Sequence, residues 1–153
     1  MSSSPSRSLA AQGHPDHDEL LAYLVLDNAP TSVPLARQFA RLALAARGYQ
    51  AHTGTLELVT SELVTNSVVH AQPSCDAPIS VRLLVQGAVL RLEVNDGKRR
   101  RPMPRTARPD QESGRGLRIV EALTMSWGSY LTNHGKCVWC EVDTKCRAER
   151  RSR

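Results

Sequence analysis

The chain has 153 residues, of which 41% are hydrophobic and 23% charged, with a net charge of +5. That is enough chain for one domain with a sizeable core, and the composition excludes wholesale disorder. No apolar run reaches the roughly 18–20 residues that span a bilayer, and the start "MSSSPSRSLAAQGHPDHDE" has no apolar core of a secretory signal, so a cytoplasmic chain is expected.

Residues 1–18 read as a disordered leader. "ELLAYLVLD" (Glu19 to Asp27) predicts a first strand. In "TSVPLARQFARLALAARG", Ser32 is the expected N-cap, Pro34 suits the first turn and Gly48 the C′ position. Val33, Leu35 or Ala36, Phe39, Leu42 and Ala43 form its expected apolar stripe. A second helix is expected from Thr53 or Thr55 to about His70, stopped by Pro73. Glu62, Asn66 and His70 recur in it every four residues, which is about one helical turn and so one face. A solvated face explains any one of them. His70 is best explained by the dipole at a helix C-terminus, whereas Asn66 is a poor helix former for a mid-helix position.

Two alternating runs around Gln86-Gly87 predict a β-hairpin, with Ile79, Val81, Leu83 and Val85 on one face and Leu90, Leu92 and Val94 continuing it. Asp96-Gly97 ends the second strand. Residues 98–113 lack an apolar period and read as a long basic loop, a length that often marks a functional lid. A lid of this kind would be ordered by its ligand. "ESGRGL" (Glu112 to Leu117) is a glycine-rich opening to a third helix, roughly Gly116 to Met125. Backbone N–H groups at Gly114 and Gly116, the helix dipole and Arg115 suit a phosphate, although glycines before a helix also serve plain turns. "WGSYLT" and "GKCVWCEVD" predict two closing strands around "NHG". The order β-α-α-β-β-loop-α-β-β implies an α+β fold, with helices on one face of a mostly antiparallel sheet. The domain is expected over 19–144, with a basic tail at 145–153.

Of four cysteines, Cys137 and Cys140 form a CxxC, but within a strand they point to opposite faces about 10 Å apart along the axis, a poor zinc clip. Ordinary thiols are expected. The basic clusters raise nucleic acid as a partner class, yet aromatic residues are 4% of the chain, so stacking platforms are scarce and this class is disfavoured.

Taken together, these segments resemble the Bergerat-fold ATP-binding domain of the GHKL superfamily, which includes gyrase, heat-shock chaperone, histidine-kinase and mismatch-repair ATPases. "ELVTNSVVHA" is similar to its N box, "VNDG" to the start of its G1 box and "GRGL" to its G2 box. Trp127-Gly128 and "GKCVW" (Gly135 to Trp139) extend the resemblance, over roughly residues 20 to 143, to the small bacterial anti-sigma-factor serine/threonine kinases. The resemblance implies a two-layer sandwich that binds ATP and Mg²⁺. It implies Glu62 as general base, Asn66 as the Mg²⁺ ligand and Asp96 as acceptor of the adenine amino proton. Gly97 would allow close approach to the base, and Gly114, Arg115, Gly116 and Leu117 would hold the phosphates. It further implies a homodimer that phosphorylates an anti-anti-sigma antagonist and sequesters a sigma factor in transcription regulation. Basic residues from Lys98 replace the glycines usual after the G1 acid, and Cys137 stands where many relatives carry a threonine near the adenine. A non-catalytic regulator, binding its partner with or without ATP, is the alternative reading.

Overall fold

A computed structural model describes residues 18–69, 77–97 and 115–145. The expected leader apart from Asp18, which begins the first strand, together with His70, Gly114, the basic loop and nearly all of the tail, lies outside the described residues. The elements run β1 (Asp18–Leu26), α1 (Ser32–Ala46), a short 3₁₀ turn (Gln50–His52), α2 (Thr53–Val69), β2 (Ile79–Gln86), β3 (Val89–Asp96), α3 (Arg115–Leu123), β4 (Ser126–Thr132) and β5 (Gly135–Asp143). Five strands form one antiparallel sheet in the order β1-β2-β3-β5-β4, with the three helices as the second layer. The α+β two-layer architecture expected from the sequence is therefore the observed one.

Period-two alternation explains the core. Val81 pairs with Val94 and Leu83 with Leu92, and all four are buried beneath the helices. Val94 pairs onward with Val138, and Leu92 with Cys140, so the same face continues across β5. The hairpin turns at Gly87, whose φ of 60° suits a residue without a Cβ. Among the described residues no helix is long and apolar enough to cross a membrane.

Two expectations for α1 are corrected. Ser32 does not cap the helix; the N-cap residue is Thr31, without a side-chain cap, and the Ser32 hydroxyl donates to the Asp27 carbonyl at 2.6 Å. This bond ties the start of α1 to the end of β1. The buried stripe is Ser32, Ala36, Ala40 and Leu44, one residue per turn; the expected Ala36 is in it, Val33, Phe39 and Ala43 pack partly buried against the core, and Leu35 and Leu42 are exposed. Alanines win these positions because small side chains let α1 lie close to its neighbours. The C-terminus ends as expected at Gly48 (φ 81°), with Tyr49 N–H donating to the Leu44 carbonyl in a Schellman arrangement.

The far face of the sheet carries charge that alternation alone does not announce. Arg91 and Glu93 are both buried there. Arg91 Nε donates to Glu93 Oε1 at 2.9 Å and Nη1 to Glu141 Oε1 at 2.8 Å; Arg82 reaches Glu93 Oε2 at 3.2 Å. The Arg91 guanidinium also lies 4.2 Å from the centre of the Trp139 ring. Trp139 lies in turn across Gly128, where an added Cβ would stand 2.9 Å from the ring. That contact is a structural reason for the Trp-Gly pair at the start of β4.

Candidate functional site

The expected residues fall in two groups: Glu62 meets Gly116 between α2 and α3, and Asp96 meets Lys136 and Gly135 between β3 and β5. α2 has buried residues on several sides, including Leu56, Val59, Leu63, Val64 and Ser67, because it is packed between α1, α3 and the sheet. Glu62 and Asn66 remain partly exposed along the line expected from their spacing. Glu62 faces α3 closely: a Cβ added to Gly116 would stand 2.6 Å from Glu62 Oε2. The missing side chain of Gly116 is thus what admits the carboxylate to the first turn of α3. Burial pushes the Glu62 carboxyl above its ordinary value, because desolvation penalises the charged form.

The other G2-box positions take different places. Arg115 is exposed and begins α3. The Leu117 side chain is buried in the hydrophobic core, so any ligand contact there falls to its backbone.

Asp96 closes β3 and is buried, with Gly97 partly exposed after it. It lies opposite Lys136 in the β3–β5 register, on the same side of the sheet as Val94 and Val138. Lys136 Nζ is 3.7 Å from Asp96 Oδ2, and both residues are buried. Gly135 makes this corner possible, because a Cβ there would overlap the Asp96 carbonyl oxygen. A buried charged pair is costly unless its geometry is held, and the close approach of Gly135 to the Asp96 backbone brings the two strands together here.

The expectation for Cys137 is corrected by the same register. Cys137 pairs with Asn95, so it points to the opposite face of the sheet from Asp96. It is fully buried, and burial pushes its thiol up to about 11. Lys136, not Cys137, is the β5 side chain beside Asp96. Sequence reading missed Lys136 because only strand pairing fixes which residue of "GKC" faces the helices. Cys140 faces the core, so the two thiols lie on opposite faces as the spacing implies.

Residues 26–141, well over half of the chain, match the family model described as the histidine kinase-like ATPase domain. The chain belongs to this family. No curated protein matches it. Membership makes this a GHKL-type domain of the ATP-binding, kinase-like class. The site residues fit such a ligand. Asp96 offers a buried acceptor at a strand end, and the start of α3 offers backbone N–H groups beside Gly116. Among the described residues no group of three or more His, Cys, Asp or Glu could hold a metal. Mg²⁺ needs no such group, since it commonly takes one or two protein oxygens and completes its shell with phosphates and water; the Asn66 amide oxygen is a suitable donor. A separate groove of about 600 Å³ lies between α1 and α2, where Arg37, Arg41, Glu57 and Ser61 line it. Its residues on α2 do not include Glu62 or Asn66, so it is distinct from the Glu62–Gly116 contact.

Proposed function

We propose that this ATPase domain is a regulatory serine/threonine protein kinase. It binds Mg-ATP, phosphorylates an anti-anti-sigma antagonist and, as a homodimer, holds a sigma factor inactive. The observation that carries the catalytic part is the seating of Glu62 against Gly116 at the start of α3. A carboxylate whose proton affinity is raised by burial stands beside the helix end best suited to phosphates.

Each residue then has a defined task. Asp96 accepts a hydrogen bond from the adenine amino group and so selects adenine, with Gly97 leaving room for the ring. Gly114, Arg115, Gly116 and the Leu117 backbone hold the phosphates. Asn66 holds Mg²⁺, which when bound neutralises phosphate charge. Glu62 accepts the proton of the attacking hydroxyl. The new oxygen–phosphorus bond forms as the bond to the β-phosphate's bridging oxygen breaks, and ADP leaves with that electron pair.

The test is label transfer from γ-labelled ATP, with Mg²⁺, to a candidate antagonist protein. Label on serine or threonine that disappears with Glu62→Ala, while ATP binding persists, supports the reading. Transfer that survives Glu62→Ala removes Glu62 as base. ATP binding without transfer to any antagonist favours the non-catalytic regulator.

A further inference from the structure

We propose that the groove between α1 and α2 is a docking site for a protein partner. Its occupant is an amphipathic helix with two carboxylates one turn apart beside a leucine-type ridge. The inference goes beyond the function proposed above and holds whether or not the domain transfers phosphate. The groove follows from matching periods. Arg37 and Arg41 on α1, and Gly54, Leu58 and Ser61 on α2, recur at three or four residues, so each set is one helix face. The two faces bound about 600 Å³, a space that takes side chains from one side of a helix.

Charge, apolar surface and backbone access together define the occupant. Arg37 and Arg41 are both exposed and stand one turn apart, roughly 6 Å. Arg41 is shared with Glu57 at 3.4 Å, and Arg37 forms no ion pair among the described residues. Two guanidinium groups thus face one carboxylate, and the surplus positive charge is matched by a pair of carboxylates at the same spacing. Leu58 is 42% exposed on the α2 wall, and Leu42 is 60% exposed one turn along α1 from the lining residue Gln38. Apolar surface therefore brackets the charges. A small anion would use the arginines and leave these leucines in water. Gly54 also lines the α2 wall, and nothing among the described residues lies within 4 Å of where its Cβ would stand. Glycine weakens a helix relative to alanine, and no contact among the described residues requires it here. Its bare backbone suits the close approach of a second helix. These features fit helix-in-groove recognition, with an apolar ridge in the groove and edge charges that fix its register. Leu58 and Glu62 are one turn apart on α2, so a helix seated here lies beside the acid that faces α3.

The probe is a fluorescein-labelled helical peptide with leucines along one stripe and glutamates one turn apart at its edge, titrated into the full chain by anisotropy. One control peptide carries lysines in place of the glutamates, and another carries serines in place of the leucines. The wild type is expected to bind the acidic peptide at least about tenfold more tightly than either control. The double variant Arg37→Glu, Arg41→Glu should lower acidic-peptide affinity at least about tenfold and raise that of the lysine peptide. A loss of fold would not produce that exchange. Gly54→Leu should weaken acidic-peptide binding by about tenfold, because it fills the α2 wall, and should leave Mg-ATP binding unchanged. Acidic-peptide binding that persists in the double variant comes from other basic segments and overturns the inference. Equal binding of the serine peptide overturns it too, since the contact would then be charge alone. No binding of the acidic peptide at about 1 mM overturns it as well. The titrations contain no nucleotide, so failed label transfer removes the kinase and leaves the groove, and a failed groove leaves the kinase.

Discussion

Glu62 sits where stability and chemistry oppose each other. Burial raises its pKa, so the folded chain holds the proton more tightly than the unfolded chain. The folded state is therefore unpenalised at acidic pH and loses stability as pH rises through the raised pKa. Glu62→Gln should relieve that penalty, so its melting temperature at pH 8 should equal or exceed that of the wild type. Phosphotransfer should fall by about 10²–10⁴, the usual worth of a positioned base. A wild-type rate profile should lose activity toward acid, with its limb raised from the ordinary glutamate value, because only the ionised form accepts a proton. Gly135 gives a second residue-scale outcome. Gly135→Ala forces a Cβ into the Asp96 carbonyl and should cost about 3 kcal/mol in denaturant unfolding, together with nucleotide affinity. At this scale Glu62 and Asn66 were legible because a helix makes neighbours of residues four apart. Lys136 was not legible, because its meeting with Asp96 joins strands 40 positions apart and depends on the phase of their pairing.

At the scale of elements, β3 carries two jobs on its two faces. Leu90, Leu92 and Val94 pack under the helices, and their alternation was plain in the sequence. Arg91 and Glu93 point the other way and are nonetheless buried, because Trp139, Arg82 and Glu141 close over them. Alternation predicts which face a residue takes, not whether neighbours on adjacent strands will cover it. Burial opposes the Arg91 charge, and hydrogen bonds to Glu93 and Glu141 more than offset that. Arg91→Ala should cost about 3 kcal/mol by leaving Glu93 buried with only Arg82 beside it. The double variant Arg91→Met, Glu93→Leu should recover part of that loss, as a double-mutant cycle in urea would show. α1 teaches the same lesson in its stripe. Leu42 had the right period but the wrong side, and Ala36 and Ala40 won the interface through their small size. Its end was legible, since Gly48 at φ 81° is a position that glycine tolerates and other residues resist. Gly48→Ala should cost about 1 kcal/mol by thermal unfolding.

The whole molecule is a sheet whose helix-bearing side ends in Asp96 and Lys136, with Glu62 and the start of α3 on the layer above. The family and the layer order follow from elements that the sequence displays locally. The corner of Asp96, Lys136 and Gly135 does not, because it is made by register. The claim on which the rest depends is that this end of the sandwich binds a magnesium nucleotide. Titration calorimetry of Mg-ATP into the wild type, Asn66→Ala and Asp96→Asn tests it most directly. The account predicts Mg²⁺-dependent binding to the wild type, with the Mg²⁺ dependence lost in Asn66→Ala and the affinity lost in Asp96→Asn. No heat of binding in the wild type, or equal binding in all three proteins, would contradict it.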